Sequence, residues 1–543
     1  MKKFKYLLVG LATVALLAAC GGSDSKESTQ AVDSQKKILN VATDIELASM
    51  DTGVATDGYS FDAIAAVIEG LYQLDSDGNP IPGMAESTEV SEDGKTYTFK
   101  LRDAKWSDGT PVKANDFVFA WRRLADPATA SEYSYMLDVA GIKNASEIAK
   151  GEKAKEELGI TAIDDKTLKV ELNYAVPFFY QLMAFPSFYP ISEEFYKKHE
   201  DQYALTPEAI LANGPFKMTA WNQGSGYELV KNDTYYDSGV VKLDGINVQL
   251  VKDSQSAVVA YEQGTVDVMK LTGELVEQYK GSPEMRNTLG GYLWYVSPNT
   301  KVPGLENPNL RLALALSYDK EQIAEHLLKD GSIAANFAVP VKLAVGPDKK
   351  DFRATSPEYL KVDKAKAKEY YEIAKKELGK DSFNFELLFE DTEASKKVAE
   401  YLKSEIETNL PGVTLTLKQQ PKKSRLQLMQ KGEFDLGLTR WGPDYADPMT
   451  YLDMWVSGAS YNFGSWSNEK YDELVFEASK GSLVTKLEER WQALKDAEKI
   501  VMDEAAILPV YQTGSAMMIK SNVKGIEFHS VGVPTVYKNT TKD

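Results

Sequence analysis

The chain has 543 residues with 62 Lys+Arg against 80 Asp+Glu, a formal net charge of −18, which argues against nucleic-acid binding, since phosphate affinity rests on clustered Lys and Arg. Hydrophobic residues at 43% and aromatics at 10% suffice for packed cores, and the length accommodates two to four domains of ~100–200 residues each. One cysteine and three scattered histidines exclude an intramolecular disulfide and Cys-rich zinc or iron–sulfur sites, so neither metal nor cofactor is expected.

Lys2, Lys3 and Lys5 precede an apolar run over residues 7–19. A membrane-spanning helix needs ~20 apolar residues, so 1–19 reads as a signal peptide. Leu17-Ala18-Ala19-Cys20 ends that run with the only cysteine of the chain and resembles the lipobox of bacterial lipoproteins. The resemblance implies cleavage before Cys20 and acylation of its thiol. Two buried acyl chains, at ~0.8 kcal/mol per methylene, give stable anchoring. Residues 20–37, opening Gly21-Gly22-Ser23, read as a flexible tether. The expected location is the outer face of the cytoplasmic membrane.

The body opens with a β-like run over 38–42 and a helix-like segment over 61–71. Asp75-Ser76-Asp77-Gly78-Asn79-Pro80 lacks the spacing of a calcium loop and reads as a turn. Tyr97, Phe99 and Leu101 alternate with polar residues as a half-buried strand requires, and 116–124 carries helical periodicity. Residues 167–172 and 216–221 read as strands, and 177–190 as an aromatic-rich irregular stretch.

Beyond about residue 300 the pattern is α/β. Residues 383–389 alternate as a strand, 393–410 are helical, Val413-Leu415-Leu417 alternate again, 422–430 are helical and 434–438 form a strand. Strands separated by single helices specify a β-α-β-α-β unit with a parallel core. The chain thus divides into one mixed α/β lobe before ~300 and a second after it, with hinge-like crossings near Ser297 and Leu508.

Nucleophile elbows, dinucleotide fingerprints and P-loops are absent. His199, His326 and His529 have no histidine partner at helical spacing. Eighty acids give many accidental carboxylate pairs, and sequence spacing does not place two across a glycosidic bond. No enzyme is expected. The densest segment follows the strand at 434–438: Arg440-Trp441-Gly442-Pro443-Asp444-Tyr445-Ala446-Asp447-Pro448, with Trp455, Trp466, Tyr451, Tyr461 and Phe463 close behind. One reading is a ligand site, aromatic walls and a carboxylate suiting a small cation such as a peptide's α-ammonium. The other is a packed aromatic core in which Asp444 and Asp447 stabilise turns.

Lys105-Trp106-Ser107-Asp108-Gly109-Thr110-Pro111-Val112, then Ala114-Asn115-Asp116-Phe117, resembles the signature of the family 5 extracellular solute-binding proteins, receptors of ABC importers. Asp77-Gly78 with Pro82-Gly83-Met84-Ala85-Glu86-Ser87, Asn213-Gly214-Pro215-Phe216 and Asn309-Leu310-Arg311-Leu312-Ala313-Leu314-Ala315 are similar too. The likeness runs from about 38 to 530 and is strongest to the oligopeptide-binding, OppA-type branch.

The resemblance implies an α/β fold of the two-lobed periplasmic-binding-protein type (class II, Venus-flytrap) with an extra α+β subdomain. Lobe I would comprise 38–80, 205–297 and 508–543, the inserted subdomain 81–204, and lobe II 298–507. It makes Asp444, in Trp441-Gly442-Pro443-Asp444-Tyr445, the anchor of the ligand amine, with Tyr133 beside it. Gly58, Tyr59, Trp294, Tyr295 and Tyr511 would line the cleft, although Trp294 and Tyr295 read equally well as core. Arg440 stands where the family usually has a small residue, and Pro443 lacks an amide donor, so backbone pairing there is altered and Arg440 becomes a candidate for a ligand carboxylate. The implied partners are an oligopeptide, the permease and ATPase of the importer, and the membrane through the anchor, the protein itself being a monomer. The rival readings are a receptor for one signalling peptide, a surface hydrolase and an adhesin.

Overall fold

The structure, a computed structural model, describes residues 36–543, so the expected signal peptide, Cys20 and nearly all of the tether lie outside the described residues. Among the described residues no helix is long and apolar enough to cross a membrane. The fold starts with β1 (Ile38–Thr43) and α1 (Gly58–Val67). The helix begins and ends earlier than its apolar spacing suggested. Asp57 sets the start, its carboxylate accepting the Ser60 N–H at 2.9 Å as an N-cap. At the other end Ile68 is extended, and the next amide, of Glu69, goes to Asn213 Oδ1 at 3.0 Å. Segment 75–80 is a turn: Asp75 Oδ1 accepts the amides of Asp77 and Asn79 at 3.0 and 2.8 Å.

A separate four-stranded antiparallel sheet follows, from β2 (Ala85–Val90), β3 (Thr96–Leu101), β4 (Ile160–Asp164) and β5 (Thr167–Glu171), in the order β2-β3-β5-β4. Tyr97, Phe99 and Leu101 are its buried face. Packed against it is α2 (Ala114–Ala125), held by two buried indoles. Trp106 Nε1 donates to Asp116 at 3.0 Å and Trp121 Nε1 to the Phe188 carbonyl at 2.9 Å. The stretch 177–190 is less irregular than its composition suggested, for it holds a helical turn at Phe179–Leu182 and a 3₁₀ turn at Pro186–Phe188.

The main sheet has eleven strands. Its elements in chain order are β6 (Phe216–Asn222), β7 (Gly226–Lys231), β8 (Gly245–Leu250), β9 (Val268–Leu271) and β10 (Met285–Pro298). Then come β11 (Phe383–Glu390), α3 (Glu393–Asn409), β12 (Val413–Gln420), α4 (Lys422–Lys431), β13 (Leu436–Trp441), α5 (Leu487–Asp503) and β14 (Leu508–Ile519). Strand order is β12-β11-β13-β10-β14-β9-β1-β8-β7-β6, with the short strand Ile333–Ala334 paired to β14. The long strands β10 and β14 run antiparallel through the middle and join the two halves.

On one side β11 pairs in parallel with both β12 and β13, which is the β-α-β-α-β unit of the sequence pattern. The strand expected at 434–438 instead runs from Leu436 to Trp441. Arg440 and Trp441 therefore lie in the ladder, not in the loop after it. The cause is β10, whose Trp294 and Leu293 pair with Arg440 and Trp441.

Candidate functional site

Residues 442–450 leave the sheet at the carboxyl ends of β11 and β13, where open α/β sheets bind ligands. The loop is tied from several sides. Trp441 Nε1 donates to the Thr450 carbonyl and the Asp444 amide to Thr450 Oγ1, both at 3.0 Å. The Tyr451 hydroxyl donates to the carbonyls of Trp441 and Gly291. Buried Asp447 accepts both terminal guanidinium nitrogens of Arg490, on α5, at 2.8 and 2.9 Å, and caps the Met449 amide at 3.0 Å. Gly442 meets a close approach, since a Cβ there would overlap the Tyr292 ring. Of the two aspartates, Asp447 has the turn role, and the Asp444 carboxylate takes no part in this network.

Asp444 instead sits among tyrosines. Burial pushes its carboxyl up to about 6, opposed by a hydrogen bond with the Tyr135 hydroxyl. Tyr133 and Tyr135 titrate well above a free phenol, first through burial and then through the charge of Asp444. Neighbouring Asp453 is pushed up to about 7, by burial first and then by Asp444, although its side chain remains open to solvent. It is hemmed in by protein and yet accessible, as a group lining a cleft is. No cation contributes to the balance of Asp444 among the described residues. Tyr135, Tyr292 and Tyr461 are 43%, 49% and 48% exposed, so three large rings stand open here. Tyr461 lies on Trp441 at 4.7 Å between centroids. A desolvated carboxylate beside another carboxylate and open aromatic faces is a place for an ammonium group.

Tyr133 is half-buried and packs on Phe61, Phe185 and Tyr135 at 5.8, 5.3 and 5.9 Å. Trp294 and Tyr511 are opposite each other on β10 and β14 and stack at 5.5 Å and 15°. Arg440, opposite Trp294 on β13, places its guanidinium carbon 4.9 Å from the Trp294 ring. These three residues form one cross-strand row. Tyr295, the next residue of β10, is buried on the opposite face with its ring edge-on to Trp455 at 6.2 Å, as strand alternation dictates. Gly58 and Tyr59 form the first turn of α1. A Cβ on Gly58 would lie 2.8 Å from Pro534 Cγ, and burial, with Asp44 and Asp62, pushes Tyr59 up to about 12. This turn meets the Asp444 group through Tyr133, which packs on Phe61 and feels the charge of Asp57.

Sequence reasoning named Tyr461 among the aromatics of this segment but missed Tyr135, Tyr292 and Asp453. The available signal was the i, i+2 pair Tyr133-Ser134-Tyr135. A cavity of about 1270 Å³ adjoins the loop at Ala446 and lies between the start of β10, residues 342–351 and residues 519–531. None of the ligand-binding residues expected from the sequence lines it, although the turn residues Asp77 and Gly78 and the ring of His529 do. Among the described residues, no group of three His, Cys, Asp or Glu is placed to hold a metal.

A sheet crossed by two long strands, with a parallel α/β unit on one side and an enclosed acidic loop at its strand ends, defines a two-lobed α/β binding protein. The chain belongs to the bacterial extracellular solute-binding proteins of family 5: the family description "Bacterial extracellular solute-binding proteins, family 5 Middle" matches residues 79–463. It is a family of receptors, not enzymes. The dipeptide-binding protein of Lactococcus lactis subsp. cremoris is 33% identical over 558 residues, covering 98% of each chain. The substrate-binding domain of an oligopeptide ABC transporter from Bacillus anthracis is 44% identical and superposes with a TM-score of 0.74, over 93% of this chain and 99% of that one. The peptide-bound OppA of Listeria monocytogenes is 36% identical with a TM-score of 0.73, over 94% and 99% of the two chains.

Proposed function

We propose that the protein is a receptor, lipid-anchored through Cys20 on the outer face of the cytoplasmic membrane, that captures oligopeptides in a cleft between its lobes and delivers them to an ABC importer. The observation that carries this reading is Asp444. It is a largely buried carboxylate beside tyrosines at the carboxyl ends of parallel strands, with no cation in its balance among the described residues. A peptide's α-ammonium supplies the missing charge in a bond that contributes ~1.5–3 kcal/mol. In this reading lobe I is 38–80, 205–297 and 508–543, the insert is 81–204 and lobe II is 298–507, with β10 and β14 as the crossings. Tyr133, Trp441 and Gly442 surround the amine, while Trp294 and Tyr511 form a floor beside it. Anchoring through termini and backbone accepts many sequences.

Native mass spectrometry of the purified protein, before and after unfolding and refolding, tests the reading. A ladder of co-purified peptide masses that unfolding removes is the expected result. A single recurring mass would instead identify a receptor for one signalling peptide. No bound mass, with no thermal shift from a mixed peptide library, would sink peptide capture altogether.

A further inference from the structure

Two guanidiniums share one carboxylate at the edge of this site. Glu390, the last residue of β11 and 5% exposed, lies 3.3 Å from Arg425 and 3.7 Å from Arg440. Arg425, on α4, is 1% exposed and donates to Thr439 Oγ1 at 2.7 Å, while its Nε has no partner among the described residues. Arg440 is different. Its side chain keeps 29% of its surface, and no acceptor lies within hydrogen-bonding distance of its donors among the described residues. Its contacts are the Glu390 charge at 3.7 Å and the ring faces of Trp294 and Tyr292 at 4.9 and 5.9 Å. Asp330, which also faces Tyr511, accepts the Ser332 amide at 3.0 Å and forms no ion pair with Arg440 among the described residues.

The group therefore carries one uncompensated positive charge in a largely dehydrated place. A planar fork laid on an indole face holds its orientation, and its in-plane donors match the two oxygens of a carboxylate. Arg440 is four residues before Asp444, and Tyr292 touches both segments, flanking Gly442 and Arg440. We propose that Arg440, braced by Trp294 and held by Glu390, is a carboxylate-binding subsite of the cleft, so that the receptor favours ligands with a carboxylate one or two residues from the bound amine. That carboxylate is an acidic side chain or the terminus of a short peptide. The proposal rests on the peptide-receptor reading above, and deepens it.

The test is calorimetry on the purified chain with four probes: Ala-Ala-Ala, its C-terminal amide, and Ala-Glu-Ala and Ala-Gln-Ala as amides. One charge-assisted bond corresponds to about a tenfold to hundredfold change in affinity. In the wild type, at least one carboxylate-bearing probe binds tighter than its neutral partner by that factor. A gain confined to the free acid identifies the terminus, and one confined to the glutamate identifies a side chain. Arg440→Gln removes the difference while leaving the neutral probes within about threefold, and Arg440→Lys keeps part of it, having charge without the fork. Melting curves establish that both variants fold. Equal affinities for all four probes in the wild type, or an unchanged preference in Arg440→Gln, would overturn the subsite while leaving peptide capture intact. Failure of every probe to bind the wild type overturns peptide capture and the subsite with it.

Discussion

In the proposed reading Asp444 is the residue on which affinity turns, and its titration has a definite sign. The unliganded fold raises its carboxyl from 3.8 to about 6 by burial, so the fold disfavours the ionised form. Stability therefore increases as pH falls through about 6 and this charge is neutralised. A bound ammonium does the opposite and stabilises the carboxylate. Affinity for a tripeptide is accordingly highest near pH 7, falls by up to about tenfold per unit below pH 6 as the carboxylate is neutralised, and falls again above pH ~8 as the peptide amine loses its proton. Asp453, pushed up to about 7 in part by Asp444, makes the onset gradual, since the two titrate as a pair. Asp444→Asn lowers affinity about tenfold to a hundredfold and flattens the acid limb. Calorimetry from pH 5 to 8 measures both, and an acid limb unchanged in the variant removes Asp444 from the amine site. Asp444 stood out in the sequence through the resemblance carried by Trp441 and Tyr445 at fixed spacing around it. Tyr135 was not. It reaches Asp444 across 309 positions of chain, and no local pattern encodes that meeting.

At the scale of elements, the loop that presents Asp444 is held from outside by α5. Arg490 and Asp447 are 3% and 5% exposed and 43 positions apart in sequence. Removing one partner of a buried pair leaves the other charge uncompensated, at a cost of ~3–5 kcal/mol. Arg490→Met should lower the stability measured by denaturant unfolding by about that amount and weaken peptide binding as the loop loosens. The double variant Arg490→Met with Asp447→Leu should recover much of the stability but not the binding. A single variant costing under ~1 kcal/mol would show that other ties fix the loop. The helices and strands of the β11–β13 unit were readable to within a residue or three, because each apolar stripe has one period and a clear break. What periodicity could not give was partnership. The charge of Arg440 ends the apolar pattern of β13, whereas pairing with Trp294 carries the strand on to Trp441. β10 and β14 were equally hidden as pairs, for their register joins residues more than 200 positions apart.

For the whole molecule, the question is what holds the lobes together around a ligand. Phe178, from the segment assigned to the insert, stacks on Tyr445 of the 442–450 loop at 4.2 Å and 10°, and both rings are buried. Ser530 donates to the Lys342 carbonyl on another line between the proposed lobes. If the proposed lobes part along this line the stacked rings are exposed, so in that reading the stack favours the closed arrangement by the ~0.5–1.5 kcal/mol of an aromatic pair plus the area it hides. A ligand that bridges both lobes adds its own preference, and the observed state is set by the sum. Phe178→Ala therefore shifts the unliganded population toward open without touching Asp444 or Arg440. The expected outcome is a dissociation rate for bound tripeptide raised about threefold to tenfold, with the association rate changed less. Small-angle scattering of the variant should show a larger radius of gyration without peptide and the wild-type value at saturation. An unchanged dissociation rate would mean that the stack is kept in both states, and that the lobes move about contacts other than this one.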